Sequence, residues 1–326
     1  MSVVEKKQWR ELCQSEPDIH IFMRDWWLDA VCGENNWDCI IESSENSYSG
    51  GYCAFPFYKM KSHGFNVITQ PLLTQKIGPY VNLPEGLDER DAADMSNRLI
   101  GAVLDRIPTD IDSVNFNIDW HITDGEPFLE RGYEITTRYT DVIFDLTDLE
   151  NVYKNFDSKL RTHLRKAEKL VSVIECPNIR TFYEIDSKTF ARQGLPMPYS
   201  FEFVKHLDDV LGEHNARKMW MAVDEQQRIH AVEYLVWDER SAYLLMGGAD
   251  PALRNSYATN LLVWEAIQYA AQVAEIFDFE GSIMPNVNSF NRTYGPVELP
   301  YLAVTKRPSK FYNLLWHGKR VIASLV

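Results

Sequence analysis

Four short segments in the second half of the chain hold residues whose types and spacing suit chemistry. The first, Tyr243-Leu-Leu-Met-Gly-Gly-Ala-Asp-Pro-Ala-Leu-Arg-Asn-Ser-Tyr-Ala-Thr-Asn-Leu-Leu, reads as a strand entering a Gly-containing loop and then a helix. The first N–H groups of that helix, near Ser256–Thr259, lack intrahelical acceptors and sit at the positive end of the dipole. They offer an anion site, and Arg254 adds a full charge beside it. The same residues also fit an ordinary strand–loop–helix with an N-capping serine. The second segment is Phe277-Asp-Phe-Glu-Gly-Ser. Strand alternation sends Phe277 and Phe279 to one side and Asp278, Glu280 and Ser282 to the other. Two carboxylates on one face in an apolar neighbourhood are costly unless they meet water, partners or substrate. Their repulsion raises at least one pKa, which suits a general base. Structural carboxylates held by backbone N–H groups or an arginine are the alternative.

The third segment, Asn286-Val-Asn-Ser-Phe-Asn-Arg-Thr-Tyr-Gly, is a polar turn leading into a short helix, with Gly295 as its C-cap signal. The fourth is a basic helix. Residues 154–170 hold six Lys and Arg against Asp157 and Glu168. Arg161, Arg165 and Lys169 recur every four residues and share one face. Such a face suits a phosphate or pyrophosphate through bidentate contacts, and equally suits a solvated helix surface.

These segments need elements to position them. In the first half, residues 4–32 read as two helices and Trp37–Ile41 and Tyr52–Tyr58 as strands across a polar turn. A Pro- and Gly-punctuated loop around residues 70–80 precedes an amphipathic helix at 89–106, then strands at Val114–Ile118 and Tyr139–Leu146. A second cycle begins near residue 150. It has helices at 150–171, 179–192 and 200–211, and paired strands at Arg217–Val223 and Ile229–Val236. A strand at Ala242–Met246 follows, then a helix at 258–273, a strand at Ile276–Glu280, a short helix at 286–294 and a closing strand at 301–305. The order predicts an α/β (α+β) chain of two similar units, 1–149 and 150–326, each a mixed, mostly antiparallel sheet flanked by helices. The loop Ala191–Tyr199 brings Arg192, Gln193 and Tyr199 within reach of an acceptor, and Lys306 follows the last strand as a cation for developing negative charge.

The chain has 326 residues and a net charge of −14. Residues 1–150 hold 12 Lys and Arg against 27 Asp and Glu, a balance of −15, while residues 151–326 hold 21 against 20. An anionic ligand therefore belongs in the second half, and no DNA partner is expected. The five cysteines form no C-x-x-C pair, which fits free thiols in a reducing cytoplasm. No His/Cys cluster has ligand spacing, so no metal is expected. No apolar run has the length of a membrane span, and the first 18 residues lack a signal-peptide core. The amphipathic stretch 311–322 suits docking on its own domain, or contact with the inner membrane surface.

Together the strand–loop–helix, the acidic strand and the Asn-containing helix resemble the GNAT acyltransferase superfamily. That family's loop pattern is Arg/Gln-x-x-Gly-x-Gly/Ala; here it reads Arg254-Asn-Ser256-Tyr257-Ala258-Thr259, with Tyr257 in the first glycine's place. Its helix pattern corresponds to Asn286…Phe290-Asn291…Gly295, with Asn291 where a tyrosine general acid belongs and Tyr294 nearby as a substitute. These departures, the twin outline and the Lys/Arg-rich helix resemble the Fem-type subgroup of peptidoglycan-bridge aminoacyltransferases. The resemblance implies a cytoplasmic acyltransferase moving an acetyl or aminoacyl group onto an amine or hydroxyl of a small, phosphorylated envelope or glycan precursor. Acyl-CoA is the expected donor, and aminoacyl-tRNA is disfavoured by the acidic charge and the missing coiled-coil arm. Glu280, with Asp278, is the expected base. Backbone N–H groups after Met246, at Gly247, polarise the carbonyl. The alternative is a fold that has lost its chemistry and binds a nucleotide-sugar or glycan intermediate.

Overall fold

The computed structural model describes residues 3–44, 50–281, 285–309 and 312–313. Chain contacts divide it into two units: Met1–Arg138 with Pro300–Val326, and Tyr139–Leu299. The boundary expected near residue 150 falls inside the second of these, and the closing strand runs on into the first. The expected amphipathic stretch 311–322 lies almost wholly outside the described residues, as does Ser282.

The first unit opens with helices α1 (Val3–Ser15) and α2 (Asp25–Cys32), then strands β1 (Trp37–Ser43), β2 (Tyr52–Ser62), β3 (Phe65–Thr69) and β4 (Tyr80–Asn82). Helix α3 (Glu89–Asp105), strand β5 (Ser113–Asn117), helix α4 (Glu126–Leu129) and the start of β6 (Glu134–Ile143) follow. The chain ends its described course in this unit with most of β12 (Val297–Lys306). Strands β1, β2 and β3 pair antiparallel, β3 pairs parallel with β5, and β5 pairs antiparallel with β12. The β2–β3 turn is His63-Gly64, both with positive φ, the combination a two-residue hairpin loop requires. Helix α3 starts where Asp88 accepts from the N–H of Asp91, with Glu89 and Asp91 facing the dipole's positive end. Trp9, Phe22, Trp27, Phe55, Phe116 and Phe128 are all buried in this unit's core.

The second unit takes the end of β6, then α5 (Leu149–Asn155), α6 (Ser158–Ala167), β7 (Ser172–Glu175), α7 (Ile179–Arg192) and α8 (Phe201–Glu213). Strands β8 (Arg217–Val223), β9 (Ile229–Trp237) and β10 (Ser241–Ala249) lead to α9 (Ala258–Ala270), β11 (Ile276–Asp278) and α10 (Pro285–Arg292). Its sheet runs β6-β11-β10-β9-β8-β7, antiparallel throughout except for the parallel pair β10/β11. Helix α9 covers one face, packing Leu262, Ala266 and Ile267 on Ala231, Leu235 and Ala242. Helix α7 packs on β10 and β9 from the other side.

Most expected elements are present, with three informative differences. The helix expected over 150–171 is two helices, because Phe156 is extended and the N–H of Asp157 bonds to the carbonyl of Thr293. Strand β11 stops at Asp278, two residues short of its expected end. The strands β3, β4 and β7 have no counterpart in the sequence reading. Among the described residues, no helix is long and apolar enough to cross a membrane, and no group of three or more His, Cys, Asp or Glu is placed to hold a metal. All five cysteines are free and buried.

Candidate functional site

Strands β10 and β11 pair only over Ser241–Tyr243 and Ile276–Asp278. Immediately beyond, β10 carries a bulge between Leu244 and Met246. Two parallel strands thus part at their carboxyl ends, the place where open α/β sheets receive ligands. The direction of the free backbone groups follows from the ladder. The N–H of Asp250 bonds to His230 of β9, whereas that of Ala249 goes to Thr189 Oγ1 at 3.0 Å. N–H direction alternates along an antiparallel strand, so Gly247, two residues before Ala249, also turns its N–H away from β9 and toward the parting edge. Gly247 is exposed, and Met246 beside it is buried.

Helix α9 begins just past this edge. Its N-cap is Tyr257, held in the left-handed region at φ 61 and ψ 28, and it offers the first turn no side-chain cap. That conformation is why a glycine would be the easy residue here. The earliest ladder bonds run from the N–H groups of Asn260 and Leu261 to Tyr257 O, so those of Ala258 and Thr259 have no partner within the helix. The turn is pinned from below. Ser256 Oγ lies 2.8 Å from His230 Nδ1, and His230 Nε2 lies 3.0 Å from Asp224 Oδ2. Asp224 also receives Arg228 Nε at 2.7 Å, and these bonds, that of His230 first, hold its carboxyl below the usual range. Arg254, at the start of the turn, is exposed.

Helix α6 packs beside α9 through Leu160, Leu164 and Ala167. The imidazole of His163 stacks on the Tyr257 ring at 3.8 Å and 7°, and Lys166 Nζ lies 4.7 Å from the same ring. Burial, then the charges of Lys159 and Lys166, lower the pKa of His163. The side of α6 turned toward the start of α9 therefore carries His163 with Lys159 and Lys166 as its cations, rather than the expected Arg161 and Arg165. Arg161 instead donates to the carbonyls of Lys154 and Phe156 at the end of α5, and Arg165 Nε donates to Arg161 O.

Left-handed backbone at a bulky residue costs about 1–2 kcal/mol. The stack and the cation–π contact return a comparable ~1–2 kcal/mol. Tyr257→Gly, which loses both the strain and the contacts, is expected to melt within about 3 °C of the parent. Tyr257→Ala, which keeps the strain without the contacts, is expected to be the less stable of the two by about 1 kcal/mol. Urea denaturation of the two variants side by side checks the order.

The acidic groups are arranged differently from the expectation. Asp278 is buried, and its Oδ1 accepts from Thr140 Oγ1 at 2.5 Å and from the N–H of Glu280 at 2.8 Å. Glu280 lies beyond the strand with φ 54, partly buried, so the alternation expected through residue 282 ends at Phe279. Two carboxyls that sequence reasoning passed over flank Gly247 and Gly248. Glu233, opposite Gly247 in the ladder, is 3% exposed, and its Oε1 lies 2.3 Å from where a Cβ on Gly247 would sit. Burial, with the charge of Asp186, pushes its carboxyl well above the ordinary range. Asp186 lies beneath Gly248, accepts from Tyr199 Oη at 2.7 Å, and is pushed up by burial to about 6.

Two further expectations are corrected by burial. Tyr294 is fully buried among Phe156, Phe279 and Phe290, and its phenol donates to the carbonyl of Asn260, so it does not open onto the edge of β10. Tyr199 is buried and holds Asp186 rather than an acceptor. Lys306 belongs to the first unit, with its ammonium over the Tyr133 ring. Arg192 and Gln193 are exposed at the end of α7, and Gln193 Nε2 donates to Thr189 O. The side chain of Asn286 lies outside the described residues.

Residues 154–282 match the model of the acetyltransferase (GNAT) domain family. No curated protein sequence matches the chain. Among solved structures, the chain is similar to FemX, with a TM-score of 0.69 at 11% identity over 97% of this chain and 98% of that one. It is similar to a C-terminal domain from an Agrobacterium fabrum protein, with a TM-score of 0.55 at 14% identity over 98% and 97%. It is also similar to L-PGS from Bacillus licheniformis, with a TM-score of 0.50 at 12% identity over 83% and 86%. At these identities the likeness establishes the fold, an α/β arrangement shared over the full length of FemX.

Proposed function

Because residues 154–282 match the acetyltransferase (GNAT) domain model, we propose that the chain transfers an acetyl or aminoacyl group from a thioester or ester donor to an amine or hydroxyl acceptor at the parting of β10 and β11. One observation carries this reading: the N–H of exposed Gly247 faces the gap that opens past the bulge. A carbonyl oxygen placed there gains a hydrogen bond as it becomes an oxyanion. Glu280 stands two residues beyond the last β11 pair, at the same mouth, and takes the proton of the attacking nitrogen or oxygen. The new bond forms to the carbonyl carbon, the oxyanion collapses, and the bond to sulfur or ester oxygen breaks.

Acyl-CoA is the donor we infer. Its phosphates are matched by the uncapped N–H groups of Ala258 and Thr259 and by the ammonium groups of Lys159 and Lys166 on α6. Tyr257 stands among these groups and makes the grip different from a glycine-lined one. A long polyanion such as aminoacyl-tRNA is disfavoured by a net charge of −14. Arg165 and Lys169 remain exposed on the neighbouring face of α6 and favour an anionic acceptor, a phosphorylated envelope or glycan precursor.

Calorimetric titration with acetyl-CoA tests the donor site. The wild-type protein is expected to bind, and Lys159→Ala and Lys166→Ala are each expected to weaken binding about tenfold, the loss of one charge-assisted contact of ~1.5 kcal/mol. A wild-type protein that neither binds acetyl-CoA nor releases its thiol would end the reading.

A further inference from the structure

The tyrosine that the family resemblance supplied as general acid is sealed in the core, which leaves the departing thiolate without a proton donor. We propose that the Glu233 carboxyl fills this role as a catalytic acid, giving its proton to the leaving sulfur beside Gly247. The inference rests on the acyl-transfer reading above and deepens it.

Three observations converge on one residue of β10. Gly247 turns its N–H to the gap, is itself exposed, and has Glu233 as its cross-strand partner. Such a pair, whose N–H groups point away from each other, brings side chains closest together in an antiparallel ladder. Only a residue without a Cβ leaves room for the carboxyl, because an added Cβ would lie 2.3 Å from Oε1. The second observation is that Glu233 is 3% exposed, and that burial is the first cause holding its carboxyl well above the ordinary range. A carboxylate taken out of water is far more costly than the neutral acid. The third is Asp186, whose charge acts on the same carboxyl and disfavours its ionisation further. Glu233 therefore rests with its proton on, as a donor needs to be, while Glu280 keeps the base role proposed above. Two carboxyls in unlike surroundings divide the acid and base roles.

The step balances. The acceptor nitrogen bonds to the thioester carbon, and its proton passes to the Glu280 carboxylate. The carbon–sulfur bond breaks, and the electron pair left on sulfur takes the proton of Glu233. Water then carries one proton from Glu280 back to Glu233, so the products are the amide and the free thiol.

Glu233→Gln keeps the shape and neutrality of the side chain and removes the acidic proton. Acetyl-CoA affinity is measured by calorimetry, and thiol release is followed with water and with glucosamine 6-phosphate as acceptors. The expected result is a kcat about 100-fold lower in Glu233→Gln, with acetyl-CoA affinity held. Infrared spectra at neutral pH are expected to contain a buried carboxylic-acid carbonyl band that the variant lacks. An unchanged kcat, a parallel loss of acetyl-CoA affinity, or an ionised Glu233 in the infrared spectrum overturns the inference alone. Failure of the wild-type protein to turn over acetyl-CoA with either acceptor removes the acyl-transfer reading and the acid with it.

Discussion

Alanine at Gly248 is expected to lower the melting temperature by about 6–12 °C, corresponding to ~3 kcal/mol in a unit of this size. The added Cβ would lie 2.4 Å from the Cα of Asp186 and 3.1 Å from its N. Those are backbone atoms of α7, so no rotamer relieves the collision; the helix has to move. It is tied where it stands. Thr189 Oγ1 accepts from the N–H of Ala249 at 3.0 Å, Lys188 meets Asp250 at 2.6 Å, and Tyr199 holds Asp186 at 2.7 Å. At the neighbouring Gly247 an added Cβ would meet the carboxyl end of the Glu233 side chain rather than backbone. Differential scanning calorimetry of Gly248→Ala decides the matter, and a shift below about 2 °C would show that α7 is not seated as described.

Asp186→Asn is expected to stabilise the protein at neutral pH and to do little at pH 4. Asp186 is 1% exposed, and its pKa rises from 3.8 to about 6 on folding. A carboxyl raised in the folded state favours folding while protonated. Its contribution is fully present below the unfolded pKa near 4 and is lost as pH climbs through 6. By pH 7.5 the buried charge costs up to ~3 kcal/mol, at ~1.4 kcal/mol for each of roughly two pKa units. Asparagine removes the charge and keeps an acceptor for Tyr199. Urea unfolding at pH 4 and pH 7.5 gives the comparison, and an equal gain at both would falsify the assignment of a neutral-favouring site.

The parts of the site that depend on local chain chemistry were legible in the sequence. The run from Tyr243 to Leu262 is a strand, loop and helix as read, and the helix start at Ala258 lacks a side-chain cap. What failed were inferences that needed to know where an element stops or which way it faces. Alternation over Phe277–Ser282 held only while the strand lasted, and β11 ends at Asp278. On α6 two basic stripes flank the apolar one, and only packing of Leu160 and Leu164 against α9 selects Lys159–His163–Lys166 over the arginines. Glu233 did leave a signal. It is the one carboxyl in Ile229-His-Ala-Val-Glu-Tyr-Leu-Val-Trp237, a central strand that is apolar over most of its length. A lone acid in such a run is worth a question before any coordinates exist.

The first unit is not contiguous along the chain: its strand β5 finds its neighbour β12 only through Ala303–Lys306. On the ribosome, residues 139–299 emerge complete while the unit begun before them still waits for its last ladder. The order in which the units are begun is therefore the reverse of the order in which their full sets of strands become available. A shortened gene ending before residue 300 would injure the half of the protein that was made first.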